Sequence, residues 1–126
     1  MPRRSNDAVH EFLPLTPAVF DILLTLADGE KHGYAIAREV EARSEGQVRF
    51  GPGTLYGTLT RLLGAGLIQE SGGTGEAGPT VERRRYYKLT HLGREVATAE
   101  ARRLAGLVSA ARAKSLLKIK GSASNQ

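Results

Sequence analysis

Residues 51–66 read Gly51-Pro52-Gly53-Thr54-Leu55-Tyr56-Gly57-Thr58-Leu59-Thr60-Arg61-Leu62-Leu63-Gly64-Ala65-Gly66. Pro52 suits the first position of a helix, where its missing N–H costs nothing. Leu55, Leu59, Leu62 and Leu63 fall on one stripe at helical spacing, and Gly64-Ala65-Gly66 supplies the stop. At about 100° per residue, Thr54, Gly57 and Arg61 point away from the leucines, with Tyr56, Thr58 and Thr60 on the flanks. The predicted outer face is slim and polar and carries a single Arg. Glycines weaken a helix, so Gly53 and Gly57 point to close approach by something outside it.

Upstream, Thr16 is a cap residue and Pro17 a first helical residue. Val19, Phe20, Leu23, Leu24, Leu26 and Ala27 follow at helical spacing, and Asp28-Gly29 ends the run. These signals predict a helix over 17–27. A second helix follows Lys31-His32-Gly33, with Gly33, Ile36, Ala37 and Val40 on one face and Ser44-Glu45-Gly46 as its stop. Residues 47–50 read as a short extended piece with Val48 and Phe50 on one side.

Downstream, 67–70 reads as a strand, 71–80 as a loop from its glycines and proline, and 84–89 as a returning strand with Tyr87 and Leu89 on one face. Thr90 is the predicted cap of a last helix running to about Leu117. Its roughly 27 residues would span about 40 Å, more than the ~30 Å of a compact domain of about 80 residues. Leu104, Leu107, Val108 and Ala111 form an apolar seam on its far half, which predicts a homodimer. The expected layout is a short helix or arm at 1–13, a winged helix-turn-helix at 14–90, a dimerisation helix at 91–120 and a disordered tail at 121–126. The expected class is mainly α with a small β-hairpin, a winged helix-turn-helix plus a long C-terminal helix, in which the third helix reads the major groove.

Composition agrees with that class. The 126 residues carry 18 basic and 13 acidic side chains, a net charge of +5, which favours a polyanionic partner. Cysteine is absent, which excludes disulfides, zinc thiolates and cysteine nucleophiles. His10, His32 and His91 stand apart from one another and form no metal-ligand cluster, no nucleophile elbow is present, and the glycines at 72–78 lack the Lys of a phosphate-binding loop. No enzyme activity, metal or cofactor is expected. Apolar runs are too short for a membrane span and Met1–Asp7 does not read as a signal peptide, so a cytoplasmic location is expected. Arg83, Arg84, Arg85 and Lys88, with Tyr86 and Tyr87, form a candidate phosphate-binding wing, which Glu76 and Glu82 make less electropositive.

Taken in order, several segments resemble the PadR-like transcriptional regulators: Leu26-Ala27-Asp28-Gly29, His32-Gly33-Tyr34-Ala35-Ile36, Gly53-Thr54-Leu55-Tyr56 with Leu59 and Arg61-Leu62, Gly66-Leu67-Ile68, Arg85-Tyr86-Tyr87-Lys88-Leu89-Thr90, and Gly93. The likeness runs from about Leu15 to Leu117 and, with one long C-terminal helix, matches the short branch of the family. It implies a homodimeric repressor on two-fold operator sites, in some members released by a small aromatic or drug-like effector. Thr54, Tyr56 and Arg61 match recognition-helix positions, and Arg83–Arg85 the basic segment of the wing. His32 and Tyr34 match a structural motif. In some relatives an aromatic on the last helix stacks on the effector; this helix has none.

The expected partners are therefore a double-stranded DNA operator and a second copy of the chain, and the resemblance leaves room for a small-molecule effector, unidentified. The expected DNA-binding residues are Thr54, Tyr56, Gly57, Thr58, Arg61, Arg83, Arg84 and Arg85, with Arg61 on a base edge or a phosphate. The expected dimer contact is the Leu104–Ala111 seam. The alternative is a winged-helix protein-interaction module that does not bind DNA.

Overall fold

The computed structural model describes residues 5–72 and 85–118. The predicted 71–80 loop lies largely outside this set. So do Glu76, Glu82, Arg83, Arg84 and the predicted tail at 121–126.

Helix α1 (Ser5–His10) is the short helix of the two forms expected for the N-terminus. It packs on the last helix, and its Val9 joins the core. Helix α2 (Pro17–Thr25) starts as predicted, with Thr16 Oγ1 accepting from the Val19 N–H at 3.2 Å. It ends earlier than predicted: Leu26–Asp28 tightens into a 3-10 turn, which Gly29 leaves at φ 145°. Strand β1 (Lys31–His32) follows and was not foreseen; the sequence reads these residues only as the approach to a helix. In helix α3 (Gly33–Arg43) the His32 Nδ1 accepts from the Ala35 N–H at 3.2 Å and caps the first turn.

The 44–51 connection is held by Ser44, whose Oγ accepts from the Val48 N–H at 2.8 Å and donates to the Glu41 carbonyl at 3.1 Å. Val48 and Phe50 both pack on the core, though their segment pairs with no strand among the described residues. Helix α4 (Pro52–Ala65) closes with Gly66 at φ 82°, the left-handed stop expected there. Strands β2 (Ile68–Ser71) and β3 (Tyr86–Leu89) pair antiparallel with Ile68 opposite Leu89 and Ser71 opposite Tyr86. Strand β1 adds to the other side of β3, Lys31 opposite Tyr87, so the hairpin becomes a sheet of order β1-β3-β2.

Helix α5 (His91–Ala113) is capped by Thr90, whose Oγ1 accepts from the Gly93 N–H at 2.9 Å and donates to the Gly66 carbonyl at 2.6 Å. It stops four residues short of the predicted Leu117, because Ser115 takes a left-handed φ of 68° and the Leu116 N–H returns to the Ala111 carbonyl. Its 23 residues span about 34 Å.

The core lies where the α2, α3 and α4 stripes meet the sheet and the first half of α5. Ile22, Leu23, Ile36, Val40, Leu59, Tyr87 and Val96 are all fully buried there. Gly93 is dictated by packing: a Cβ at that position would lie 1.9 Å from the Leu67 carbonyl oxygen. The start of α5 is therefore set directly against the joint between α4 and β2.

Candidate nucleic-acid interface

Helix α4 buries Leu55, Leu59 and Leu62 and exposes Thr54, Tyr56, Thr60 and Arg61. Thr58 corrects the sequence reading. It is 4% exposed, lies on the leucine side, and its Oγ1 donates to the Thr54 carbonyl at 2.9 Å. A hydroxyl satisfied by the preceding turn tolerates burial, so Thr58 serves the inner face and does not reach an outside partner. Thr60, absent from the expected contact set, stands exposed on the outer face and back-bonds to the Tyr56 carbonyl at 2.8 Å.

The outer face of α4 is as slim as the sequence suggests. A Cβ built at Gly53, Gly57 or Gly64 would meet nothing within 4 Å. Packing inside the chain therefore requires none of these glycines, although each lowers helix propensity. Beside them, the Arg61 guanidinium rests on the Thr58 Oγ1 at 3.4 Å and pairs with no carboxylate among the described residues. Its charge is available to an anion.

Tyr56 lies back over the start of α3. Its hydroxyl is 2.8 Å from where a Cβ of Gly33 would stand, so the ring lies close over that glycine while the residue stays 46% exposed. His32, already the α3 cap, stacks with Tyr34 at 6.3 Å and meets the Tyr86 ring edge-on at 5.5 Å. The His32-Gly33-Tyr34 motif thus joins α3, α4 and the wing strand β3.

On the wing, Arg85 is exposed and pairs with Glu70 across the hairpin at 3.5 Å, so its charge is partly offset. Arg83 and Arg84 lie outside the described residues. Lys88 is exposed, whereas Tyr87 is buried and desolvation pushes its hydroxyl above the ordinary phenol value.

On α5, Leu107 is 56% exposed and Val108 is also exposed, while Leu104 and Ala111 are half-buried. All four lie along the far half of the helix. Between α5 and α2 lies a groove of about 390 Å³ lined by Phe20, Leu24 and Leu104 among others. At its floor is a charged group the sequence reading missed. Glu100 is 1% exposed, accepts from Arg103 Nε and Nη2 at 2.7 and 2.9 Å, and accepts from the Leu15 N–H at 3.1 Å. The Arg103 hydrogen bonds, with help from Leu15, hold its carboxyl below the usual carboxylate range against the opposing effect of burial. The only sequence signal for it is the Glu-x-x-Arg spacing, which on a long helix reads as a surface pair.

The sequence profile of the transcriptional regulator PadR-like family matches residues 22–99, from within α2 into α5. The chain belongs to the PadR-like family of transcriptional regulators. Solved PadR-like structures share its fold. A PadR-like transcription factor from Bacteroides fragilis is 26% identical at a TM-score of 0.59, covering 74% of this chain and 84% of its own. A PadR-like regulator from Bacillus cereus reaches 0.62 at 23% identity, covering 81% and 94%. The PadR of Bacillus subtilis, solved in complex with operator DNA, reaches 0.57 at 24% identity, covering 68% of this chain and 46% of its own. A curated relative, an uncharacterized 37.1 kDa protein in transposon TN4556 of Streptomyces fradiae, is 41% identical over 86 residues. That match takes in 68% of this PadR-like chain and only 22% of the relative's length. Among the described residues, no helix is long and apolar enough to cross a membrane.

Proposed function

We propose that this PadR-like chain is a homodimeric, sequence-specific repressor in the cytoplasm whose α4 enters the DNA major groove. The observation that carries the reading is the α4 outer face: three glycines with open space above them, next to an Arg with no carboxylate partner among the described residues. A face that gives up helix propensity for slimness, and keeps one cation free, suits close approach to a polyanion. Thr54, Tyr56, Gly57 and Arg61 are the proposed contacts on α4, and Arg83, Arg84 and Arg85 those on the wing. The operator-bound PadR of Bacillus subtilis gives this reading a precedent in the same fold.

Residues 14–90 are the proposed DNA-binding unit and 91–120 the dimerisation helix. Two copies joined through Leu104, Leu107, Val108 and Ala111 would hide side chains that a single chain leaves in water. They would also set two recognition helices about one helical turn apart on a two-fold site. An aromatic effector stacked on α5 is not part of the proposal, since α5 has no Trp, Phe or Tyr.

Selection of bound duplexes from a random pool tests the reading. The expected product is a two-fold motif whose half-site spacing reports the dimer. Arg61→Ala should lower operator affinity by roughly five-fold or more while leaving the sedimentation coefficient unchanged. Equal binding by variant and parent would remove Arg61 from the interface. A chain that enriches no motif, shows no salt-dependent binding to any duplex and forms a stable complex with another protein would support the interaction-module alternative.

A further inference from the structure

The first two turns of α3 carry a second cationic and aromatic patch beside the α4 face. Tyr34 is 64% exposed, although it is one of the largest side chains on the helix. The Arg38 guanidinium lies over its ring at 5.5 Å, and His32 stacks on it from the side of the wing. Tyr34, Arg38 and Tyr56 line one groove between α3 and α4, with Phe50 and Leu55 at its floor. The patch is thus continuous with the edge of the proposed recognition helix.

Glu39 faces Arg43 at 3.4 Å and Lys31 at 4.0 Å, and Glu41 faces Arg49 at 3.4 Å. Each nearby carboxylate therefore has a cation of its own. Arg38 pairs with none of them, and among the described residues its charge meets only the Tyr34 ring. A cation held over an aromatic face keeps its N–H groups pointing outward and loses little freedom when they meet an anion.

We infer that Tyr34 and Arg38 form a clamp for a DNA backbone phosphate, placed where α3 would cross the strand next to the groove that α4 enters. The first helix of a helix-turn-helix crosses the backbone while the second lies in the groove, and such contacts fix register without reading sequence. Arg38 supplies a bidentate charge, and the Tyr34 hydroxyl donates to a second phosphate oxygen. His32 and the Arg38 stack hold the Tyr34 ring in place. The clamp rests on the DNA-binding reading above, and it concerns residues on α3 that the α4 and wing contacts do not include.

The test is fluorescence anisotropy on the full chain, with the selected operator and an unrelated duplex of the same length, at several salt concentrations. Arg38→Gln should weaken both duplexes by a similar factor, about three- to ten-fold, and reduce the salt slope by about one unit. Tyr34→Phe should weaken both less and leave the slope unchanged, since it removes a donor and no charge. Urea unfolding of both variants should match the parent, which separates a phosphate contact from a packing role. Parental affinity and parental salt slope in Arg38→Gln, with the parent binding its operator, would overturn the clamp and spare the DNA reading. A loss confined to the operator would also overturn it, because that is base reading. A parent that binds neither duplex would bring down the DNA reading, and the clamp with it.

Discussion

Replacing Gly57 by Ala sets the folding of α4 against its proposed use. Gly57 sits in the interior of a 14-residue helix, where Ala is favoured by about 0.8–1 kcal/mol. Nothing offsets that gain inside the chain, because a Cβ there meets no atom within 4 Å. Unfolding should therefore cost about 0.5–1 kcal/mol more in the variant, with Tm a few degrees higher. On DNA the sign reverses. A methyl group inserted into a close contact costs about 1–3 kcal/mol, roughly five- to 150-fold in Kd. The measurement is a pair: urea unfolding followed by circular dichroism, and operator titration at fixed salt. A variant that gains stability and loses affinity places Gly57 at the interface. Unchanged operator affinity would refute the close-approach argument, and lost stability would refute the claim that the face is open.

Three further outcomes are expected. Gly93→Ala should destabilise the fold by about 2 kcal/mol or more, since its Cβ would overlap the Leu67 carbonyl; an unchanged urea midpoint would show that α5 can lift at no cost. The folded-state pKa of Glu100 lies below its unfolded value, so its contribution to stability is present above about pH 4.5 and is lost as pH falls through the folded value. Urea midpoints taken from pH 7 to 3 should show that loss, and Glu100→Gln should lower the pH 7 midpoint and flatten the curve; a parallel curve would remove Glu100 as its source. Leu107→Glu should weaken the proposed dimer by roughly a hundred-fold or more, read by sedimentation, while the monomer keeps its circular dichroism because Leu107 is already exposed.

Much of the fold was legible because it is written in local signals. Thr16 and Thr90 announce helix starts, Gly66 announces a stop, and the Leu55–Leu63 stripe declares its buried side. Strand β1 was not legible: a two-residue strand cannot display alternation, and its partner Tyr87 lies far along the chain. The α5 end was misplaced because Ser115 adopts a backbone conformation usually reserved for Gly or Asn. Within the candidate site, periodicity placed Thr54 and Arg61 outward as observed, and Gly57 is half-buried with open space where a Cβ would stand. It misplaced Thr58, since a flank position on a helical wheel becomes interior once neighbouring elements close over it. The reason for Gly93 could not be read from the sequence, because it answers to a backbone atom on another segment.

The joint at Gly93 also bears on how a signal could travel. Thr90 donates to the Gly66 carbonyl, its own N–H donates to the Leu67 carbonyl, and any side chain at Gly93 would run into that same Leu67 oxygen. The first turn of α5 is thereby clamped to the point where α4 ends and β2 begins. In the proposed dimer this makes α5 a lever with its fulcrum at that point and its long arm at the subunit contact. A change of tilt where two α5 helices meet would turn α4 and the wing as one piece. The distance between the two recognition helices would then be read out directly from the angle at which the partners cross.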